Sequence, residues 1–567
     1  PILEWLPKYN SSLLKGDLSA GLTVGVMLIP QGMAYAMIAG LPPIYGLYAS
    51  TIPLILYAIF GTSRQLAVGP VAMVSLLTAA GIGTMAEGGT ELYIKLAILL
   101  ALMVGVIQLA LGLFRLGFLV NFLSHPVISG FTSAAALIIG FSQLKHLLGV
   151  DIARSHHVHE ILLQALEQFG SINWSTFTVG MLGIVLIITV KRVNRSIPGP
   201  LLAVVFGILS VWMLGLTNQG VKIVGEIPNG LPKMGLPQFS LDDLSVLLPI
   251  ALTISLVSFM ESIAVAKAIQ AKHKNYKVIP NQELIGLGIA NIGGSFFQSY
   301  TVTGGFSRTA VNDQAGAKTG LASIISAALI ILTLLFLTPL FFYLPKAILA
   351  SVIMVAVFGL IDYKEAIHLW KTNRTDFAML VVTFIATLSL GIEQGIGVGV
   401  ILSLVMVIFR TTRPHYALLG KIPGTNFYRN LERFDTLEKR EDLIIIRFDA
   451  QLYFANIAYF KEVIHESLKK GKGKVKALII AAESINYVDS SAMHALEEII
   501  TDAQNENIKV LFSGVKGPIR DAMKKAHLVE KVGETHFFLS IQDAVNHLDH
   551  KSVYSNGEMV PFILQNN

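Results

Sequence analysis

The residues best suited to chemistry lie in an interrupted apolar stretch, Ser299–Asp313, which reads SYTVTGGFSRTAVND. It places Gly304, Gly305, Ser307 and Arg308 at the depth expected of a bilayer interior. A charged side chain in hydrocarbon is costly, so an intramembrane arginine is by default a candidate functional group. Irregular backbone at that depth is tolerated only where it is buried in protein or lines a water-filled cavity. The stretch therefore predicts a polar site inside the membrane.

The chemistry predicted for this stretch is anion binding. The glycine pair breaks the chain, and the amide groups of Phe306, Ser307 and Arg308 would begin a short helix. A helix N-terminus carries partial positive charge and unpaired N–H groups, which attract anions. The Ser307 hydroxyl and the Arg308 guanidinium would add donors. The alternative is that Arg308 pairs structurally with a carboxylate, because buried arginines are rarely unpaired.

A second broken segment, SRQLAVGPVAMVSLL, opens at Gly69 and Pro70. Proline suits the first helical position, where its missing N–H costs nothing. The amides of Val71, Ala72 and Met73 would then project from a second helix N-terminus. The alternative is a plain kinked helix, because glycine and proline are common in membrane helices.

Polar groups also occur in the first apolar segment, within LIPQGMAYAM. Pro30 and Gly32 can unwind this helix locally. Gln31 and Tyr35 are four residues apart, so they share one face and could both direct donors into a cavity. The alternative is that Gln31 caps the kink at Pro30 and that Tyr35 lies at the membrane interface.

Glu261 is a carboxylate near the middle of the apolar stretch TISLVSFMESIAVAKAIQAKHK. Burial disfavours the ionised carboxylate, whereas a neighbouring Arg308 would favour it. A group balanced in this way is suited to taking up and releasing a proton. The alternative is a static role as counter-ion to Arg308.

The composition is that of an integral membrane protein with a soluble part. Of 567 residues, 53% are hydrophobic and 14% charged, with mean hydropathy +0.63, whereas soluble domains carry roughly 25% charge. The net charge of +6 falls mostly in short loops, so it reports topology and does not indicate nucleic-acid binding. There is no cysteine, which excludes disulfides and thiol-ligated metals. The chain begins at Pro1, so we expect some N-terminal residues to be missing.

Roughly 14 apolar runs are expected to enter the membrane, taking about 20 residues as a full span. After an amphipathic lead-in over 1–17, they lie at about 18–40, 43–60, 66–83, 92–113, 117–142, 175–191, 198–216, 245–268, 282–299, 304–314, 319–341, 346–361, 376–391 and 394–410. The two broken runs are the third of each set of seven. Matched broken segments in two halves indicate an inverted-repeat transporter and its binding site.

The distribution of basic residues predicts the orientation. The two long outside loops, 143–174 and 217–244, contain few Lys or Arg residues, whereas the alternate loops are basic. This asymmetry predicts that both termini are cytoplasmic.

The chain is expected to divide near residue 413. Residues 1–413 form the predicted transmembrane domain, and 414–440 a linker with a leading strand. Residues 441–550 alternate β-rich runs with helical spacing, which predicts a sheet flanked by helices. The tail, 551–567, has no clear pattern.

Taken together and in this order, these segments resemble the sulfate permease family of anion transporters, which also contains prestin and pendrin. The matching motifs are IPQGMAYAM, PPIYGLY, GTSR followed by GP, NQELIGLGIAN, and SRTAV after a glycine pair. The C-terminal part resembles a STAS domain, with Asp489, Ser490 and Ser491 where such domains carry their strand-to-helix turn. The resemblance covers nearly the whole chain.

The resemblance implies an all-α membrane domain, built as a 7+7 inverted repeat with a core and a gate, followed by an α/β STAS domain. It implies elevator-like movement and homodimers, formed partly through the STAS domain. It implies an anion held between half-helices 3 and 10. Carried over position by position, the anion contacts fall on Gln31, Tyr35, Val71, Ala72, Phe306, Ser307 and Arg308.

Two further roles follow from the resemblance. Glu261 matches the carboxylate that proton-coupled sulfate carriers of plants hold in span 8, where sodium-coupled bicarbonate carriers tend to have Asp. Ser490 or Ser491 matches the phosphoserine region of anti-sigma antagonists, which suggests a regulatory site. The next residue, Ala492, replaces the glycine usual in those switches.

The expected function is proton-coupled symport of sulfate or a similar inorganic anion across the lipid bilayer of the cell inner (plasma) membrane. The open alternatives are a bicarbonate or dicarboxylate transporter, coupled to sodium or to exchange, and an anion channel. No enzymatic activity, cofactor, metal or nucleic-acid partner is expected. Neither the GAKT at Gly316–Thr319 nor the GKGK at Gly471–Lys474 has the spacing of a nucleotide-binding loop. We interpret His156, His157 and His159 as part of a solvated loop.

Overall fold

The computed structural model describes residues 1–118, 124–152, 158–193, 198–237, 240–273, 276–471 and 473–550. The chain divides into two compact units, Pro1–Leu404 and Val405–Asn567. The predicted tail, 551–567, and the histidines at 156 and 157 lie outside the described residues.

The first unit is helical apart from two very short strands. Its first half contains α1 (Ile2–Trp5), α2 (Ser11–Ile38), α3 (Ile44–Tyr48), α4 (Ile52–Phe60), β1 (Val68–Gly69), α5 (Ala72–Gly83), α6 (Glu91–Leu113), α7 (His125–Ser142), α8 (Leu144–Leu148), α9 (Val158–Glu167), α10 (Trp174–Val193) and α11 (Gly199–Leu214). Its second half contains α12 (Leu241–His273), α13 (Pro280–Ser295), β2 (Thr303–Gly304), α14 (Phe306–Gln314), α15 (Leu321–Leu332), α16 (Lys346–Phe358), α17 (Tyr363–Thr372) and α18 (Arg374–Leu390). Helix α19 (Ile392–Thr412) begins in the first unit and ends in the second. Within the described ranges, seven helices are long and apolar enough to cross a membrane, and shorter apolar helices accompany them.

The start of the first span differs from the prediction. The separate lead-in expected over 1–17 is in part α2 itself, which begins at Ser11. The Asn10 side chain caps this helix by accepting from the Leu13 amide at 3.0 Å. The helix continues through the glycine at position 16, where an added Cβ would lie 2.4 Å from the Gly316 carbonyl oxygen, so the absence of a side chain allows close packing there. Hydropathy alone missed this start because the first turns of α2 are polar.

The helices pack in two groups whose contacts match between the halves. In the core helices, α2–α6 and α12–α15, α2 packs on α15 and α12 packs on α6. In the gate helices, α7–α11 and α16–α18, α7 packs on α18 and α16 packs on α10. When each helix is replaced by its counterpart in the other half, the α2–α15 contact becomes the α12–α6 contact, and the α7–α18 contact becomes the α16–α10 contact. This symmetry is the pattern of an inverted repeat.

The second unit is a six-stranded sheet with helices on its faces. In chain order it contains β3 (Tyr416–Lys421), β4 (Tyr428–Asn430), β5 (Leu443–Phe448), α20 (Ile457–Lys470), β6 (Ala477–Ala481), α21 (Ser490–Asn505), β7 (Lys509–Ser513), α22 (Gly517–Lys525), α23 (Leu528–Val532), β8 (Phe537–Phe538) and α24 (Ile541–Leu548). The strand order is β4-β3-β5-β6-β7-β8, and β5 to β8 are parallel. Strand β6 is buried along its whole length, which explains why it is a continuous apolar run.

The β-rich runs and helical segments predicted from 441 onwards are confirmed as β5, β6 and β7 and as α20, α21 and α22. The segment 414–440, expected to hold one leading strand, contains two. β3 pairs antiparallel with both β4 and β5, so it joins this segment to the sheet.

Candidate functional site

Two short strands bring the broken segments together. β1 and β2 pair antiparallel, with Val68 opposite Gly304 and Gly69 opposite Thr303. Helix α5 follows β1 and helix α14 follows β2 almost at once. Because the strands are antiparallel, the two helices leave the ladder in opposite directions, and their N-termini start close together.

Neither helix N-terminus is capped by a side chain in the described part of the chain. Val71 is the N-cap residue of α5 and Gly305 that of α14, and both have extended backbone. The first-turn N–H groups of a helix have no partner within the helix. Two uncapped N-termini therefore direct amides and partial positive charge at a shared position.

Arg308 lies at this position and is only 2% exposed. Its Nη1 donates a hydrogen bond to the Pro70 carbonyl. Among the described residues, its Nε and Nη2 have no hydrogen-bond partner. A Cβ on Gly69 or Gly305 would lie 3.3 or 3.0 Å from Nη2, so the guanidinium is held between two glycines. Buried donors without partners mark a site for a ligand, and a guanidinium favours an oxyanion.

The two broken segments are also linked by hydrogen bonds between their backbones and side chains. The Thr309 hydroxyl accepts from the Ala67 amide at 3.0 Å and donates to the Gly305 carbonyl at 2.7 Å. The Asn312 side chain donates to the Gln65 carbonyl at 2.8 Å. These contacts make the two half-helices one unit.

Hydroxyl groups on α12 fasten β2 to the core. The Ser262 hydroxyl accepts from the Gly304 amide at 2.8 Å and lies 2.7 Å from the Thr303 hydroxyl. The Thr303 hydroxyl donates to the Ser258 carbonyl at 2.7 Å. Ser258 and Ser262 were not among the predicted site residues, although their four-residue spacing on an apolar helix places them on one face.

A second contact that the sequence did not predict links the two broken segments through a pair of hydroxyl groups. The Tyr300 hydroxyl, from the loop before β2, lies 3.1 Å from the Ser75 hydroxyl on α5. Both side chains are buried, so this contact fixes the spacing between α5 and the β2 segment.

Glu261 lies on α12 beside this site and is half-buried. Among the described residues, its Oε2 has no hydrogen-bond partner and its carboxylate forms no ion pair with Arg308. Glu261 and Arg308 lie close enough to each other and to Tyr35 for electrostatic interaction. The contact partner of Arg308 is thus the Pro70 carbonyl, which does not support the static counter-ion alternative.

Helix α2 contributes Gln31 and Tyr35, which are 3% and 5% exposed. The Gln31 Oε1 has no hydrogen-bond partner among the described residues. Close packing positions this part of α2, since a Cβ on Gly46 of α3 would lie 1.9 Å from the Gly32 carbonyl oxygen.

A cavity of about 700 Å³ reaches the site between core and gate helices. Its inner lining includes Met73, Glu261 and Phe306 from the core and Phe131 from gate helix α7. Phe306 is 62% exposed and Ser307 is also exposed, whereas Val71, Ala72 and Arg308 are buried. The structure thus places Glu261 and Phe306 on the cavity wall and Arg308 behind it.

The same cavity is lined by the cationic side chains Arg115 and Lys267 and by His125. Arg115 and Lys267 lie in or beside loops that the sequence analysis expects on the inside. With Glu261 as its one carboxylate among the described lining residues, the cavity has a net positive wall that suits an anion.

The histidine segment differs from the predicted loop. His159 is exposed on helix α9. Within the described ranges, no three His, Asp or Glu side chains are grouped so that they could hold a metal ion.

Ser490 and Ser491 are exposed at the start of α21. The N-cap residue Asp489 accepts from the amides of Ala492 at 2.8 Å and Phe454 at 2.9 Å. Both hydroxyls are therefore accessible, beside a helix N-terminus that a carboxylate already caps.

Comparisons with known proteins agree with this architecture. Residues 14–383 match the Sulfate permease family, and residues 436–544 match the STAS domain. The chain is 42% identical over 563 residues to "Sulfate transporter 4.1, chloroplastic" of Arabidopsis thaliana, covering 96% of this chain and 82% of that protein. It is 34% identical over 570 residues to "High affinity sulfate transporter 2" of Stylosanthes hamata, covering 96% and 85%. Its fold matches that of the murine Slc26a9 anion transporter in the inward-facing state, with a TM-score of 0.88, 26% identity, and coverage of 97% and 94%.

Proposed function

The chain belongs to the sulfate permease family, and from this premise we propose that it is a proton-coupled sulfate symporter with elevator-type alternating access. One observation carries the proposal. The buried Arg308 guanidinium has two donor atoms without a partner among the described residues, it lies between two helix N-termini that no described side chain caps, and Glu261 lies beside it. Relatives named as sulfate transporters, at 33–42% identity, support sulfate as the anion.

The charges of the site favour a divalent anion when Glu261 is neutral. Arg308 supplies one positive charge, and each helix N-terminus supplies roughly half a charge. Together these balance the two negative charges of sulfate. An ionised Glu261 would leave the site one charge short, and would suit a monovalent anion instead. The protonation state of Glu261 thus selects for sulfate.

This arrangement couples the proton to the anion. Protonation of Glu261 removes a repulsive charge from the site, so proton binding strengthens sulfate binding. Linkage is reciprocal, so bound sulfate strengthens proton binding by the same factor. A carrier that binds both together and releases both together is a symporter.

The packing supports movement of the core as one body. Hydrogen bonds of Thr309 and Asn312 join α14 to the segment before β1, and the Ser262 hydroxyl accepts from the Gly304 amide, which joins α12 to β2. The contact between the Ser75 and Tyr300 hydroxyls adds α5 to this unit. The cavity lies between these helices and gate helix α7. An elevator needs this arrangement, in which a rigid core carries the site past a separate gate.

We place the protein in the cell inner (plasma) membrane as a multi-pass homodimer, with both termini and the STAS domain cytoplasmic. The cavity lined by Arg115 and Lys267 then opens inward, in keeping with the excess of basic residues expected on that side. The STAS domain either modulates transport or serves as a folding and trafficking module. Deleting 414–567 and measuring both surface amount and flux separates these roles.

The proposal is tested with purified protein in liposomes. We expect labelled sulfate to accumulate in the liposomes when the proton gradient is directed inward, with the outside acidic. Accumulation should occur with or without sodium, and protons should enter together with the sulfate. The Glu261→Gln variant should lose accumulation driven by the pH gradient but keep sulfate counterflow. Accumulation that depends on sodium at fixed pH, or that the Glu261→Gln variant retains, would refute proton coupling.

The same assay addresses the other anions. Bicarbonate and dicarboxylates are offered as competitors and as labelled substrates, and preferred uptake of either would refute sulfate as the substrate. An anion channel would give single-channel currents and would not accumulate sulfate against its gradient.

A further inference from the structure

The residue before β2, Val302, is bound by a side chain where a further strand would otherwise be needed. Its N–H donates to the Asn291 Oδ1 at 2.8 Å, and its carbonyl accepts from the Asn291 Nδ2 at 3.1 Å. The β1–β2 register would set Val302 opposite Pro70, which has no N–H and whose carbonyl accepts from Arg308. The Asn291 amide has the same donor and acceptor as a peptide group, so it takes the place of that strand.

A chain of hydrogen bonds through the core fixes the orientation of this amide. Because the Val302 N–H can only donate, the Asn291 oxygen must face it, and Nδ2 then also donates to the Gln108 Oε1 at 3.2 Å. The Gln108 Nε2 is left to donate to the Ser258 hydroxyl at 2.8 Å. The Ser258 carbonyl accepts from the Thr303 hydroxyl, which returns the chain to β2. All five residues are at most 1% exposed, so water does not compete for these bonds.

Two glycines allow the helices that carry these amides to meet. Asn291 lies on α13 and Gln108 on α6, and each follows a glycine three residues earlier on the same helix face, Gly288 and Gly105. A Cβ on either glycine would lie 2.8 Å from the carbonyl oxygen of the other. The two backbones can approach this closely only because both side chains are absent, and the approach brings the two amides within hydrogen-bond distance.

We propose that Asn291 is a positioning residue for the anion site. By holding Val302 it fixes β2, and with it the start of α14, from which the Arg308 side chain extends. Strand β1 is attached to β2 and, through the Ala67 amide, to Thr309 of α14, so a shift of β2 would displace both helix N-termini. A site that is rigid before the anion arrives loses less entropy on binding. The inference deepens the proposed function and rests on it for the identity of the anion.

The competing explanation is that the network only stabilises the packing of α6, α12 and α13. The two explanations differ in how Asn291 and Arg308 combine. A residue that acts through Arg308 loses its effect when Arg308 is already impaired, whereas independent contributions to affinity multiply.

Hydrogen exchange of the purified full chain, without anion, tests the positioning directly. Asn291→Leu removes both bonds to Val302 with little change in side-chain volume. Exchange of peptides covering 300–306 should become about tenfold faster or more, as expected for the loss of two buried hydrogen bonds. The matched control is Ser326→Ala, which removes a buried hydrogen bond of 2.8 Å from α15 to the Gly21 carbonyl. It should speed exchange of α15 and leave 300–306 unchanged.

Equilibrium binding of labelled sulfate tests the link to Arg308. Asn291→Leu should weaken binding about tenfold, since a displaced guanidinium loses about one charge-assisted hydrogen bond. The double variant with Arg308→Lys should also bind about tenfold more weakly than the unaltered protein, whereas independent effects would give roughly a hundredfold. Ser326→Ala should leave the affinity unchanged, both alone and combined with Arg308→Lys.

Gln108→Met is a milder variant that removes one partner of Asn291 and keeps its bonds to Val302. It should speed exchange over 300–306 and weaken sulfate binding by about threefold each, so it decides the matter if Asn291→Leu does not fold. Unchanged exchange over 300–306 in the variants that fold, or affinities that multiply, would overturn the proposal and leave the packing explanation. The exchange measurement needs no anion, so an unaltered protein that binds no sulfate would refute the proposed function while the exchange result still decides the role of Asn291.

Discussion

Arg308 and Pro70 are separated by 238 residues, yet the Arg308 Nη1 donates a hydrogen bond to the Pro70 carbonyl. This bond joins the start of one half-helix to the charged side chain of the other. The guanidinium is therefore positioned by backbone, and its charge is not cancelled by a directly bonded carboxylate. A fixed cation between two helix N-termini is prepared for an anion before the anion arrives.

Replacing Arg308 by lysine keeps the charge but loses the planar array of donors. A charge-assisted hydrogen bond contributes about 1.5–3 kcal/mol, so Arg308→Lys should weaken sulfate binding roughly tenfold or more. Equilibrium binding of labelled sulfate to folded, monodisperse protein measures this. Because Arg308 and Glu261 share no ion pair within the described ranges, adding Glu261→Gln to Arg308→Ala should not restore binding. Restored binding in the double variant would show that Arg308 acts mainly through Glu261.

The contact between α2 and α3 depends on glycine at position 46. An alanine Cβ there would lie 1.9 Å from the backbone oxygen of Gly32, which no rotamer change can relieve. We expect Gly46→Ala to displace α2 and with it Gln31, giving little folded protein or no sulfate binding. Gly397→Ala is the matched control, because an added Cβ there meets no atom within 4 Å. Size-exclusion profile and binding are measured together, and a fully active Gly46→Ala variant would contradict the packing.

Glu283 is a buried carboxylate that organises the loop before β1. It accepts from the Tyr57 hydroxyl at 2.7 Å, from the Thr62 amide and hydroxyl at 2.6 Å each, and from the Ser63 amide at 3.1 Å. Glu283→Ala strands these donors and should lower the free energy of unfolding by about 3 kcal/mol or more. Thermal unfolding in detergent tests this. Glu226→Ala, at an exposed position, should change stability by under ~0.5 kcal/mol.

The second unit should lose part of its stability in acid through Asp442. Hydrogen bonds from Arg440, at 3.0 Å to Oδ1 and 2.7 Å to Oδ2, hold the pKa of Asp442 below its ordinary value. The resulting stabilisation is complete above the pKa of an unfolded aspartate, about 3.9, and is lost as the pH falls through the lower folded value. Hydrogen exchange of β5 peptides, corrected for the intrinsic pH dependence of exchange, measures this stability.

The Asp442→Asn variant removes this effect. At neutral pH it should exchange faster than the unaltered protein, and the difference should shrink below about pH 4. The exposed Asp435→Asn variant is the control and should behave like the unaltered protein at every pH. A difference that grows on acidification would show that the ion pair does not stabilise the fold.

The features of this protein that depend on local chemistry could be predicted from its sequence. Hydropathy predicted the membrane runs, and paired glycines or Gly-Pro predicted where the two matched segments break. Alternating β-rich and helical patterns predicted β5 to β7 and their helices, which the structure confirms. These features follow from neighbouring residues, because backbone breaks and apolar length are local properties.

Which distant groups meet depends on tertiary packing and could not be predicted from the sequence. The two-residue strands β1 and β2 are too short for any propensity to indicate, and each exists only because the other lies beside it. The contact of Arg308 with Pro70 instead of Glu261, and the attachment of β2 to Ser258 and Ser262, depend on how α12 packs against the broken segments. The packing of helices far apart in the chain settles these pairings, and a buried donor donates to whichever acceptor that packing brings within reach.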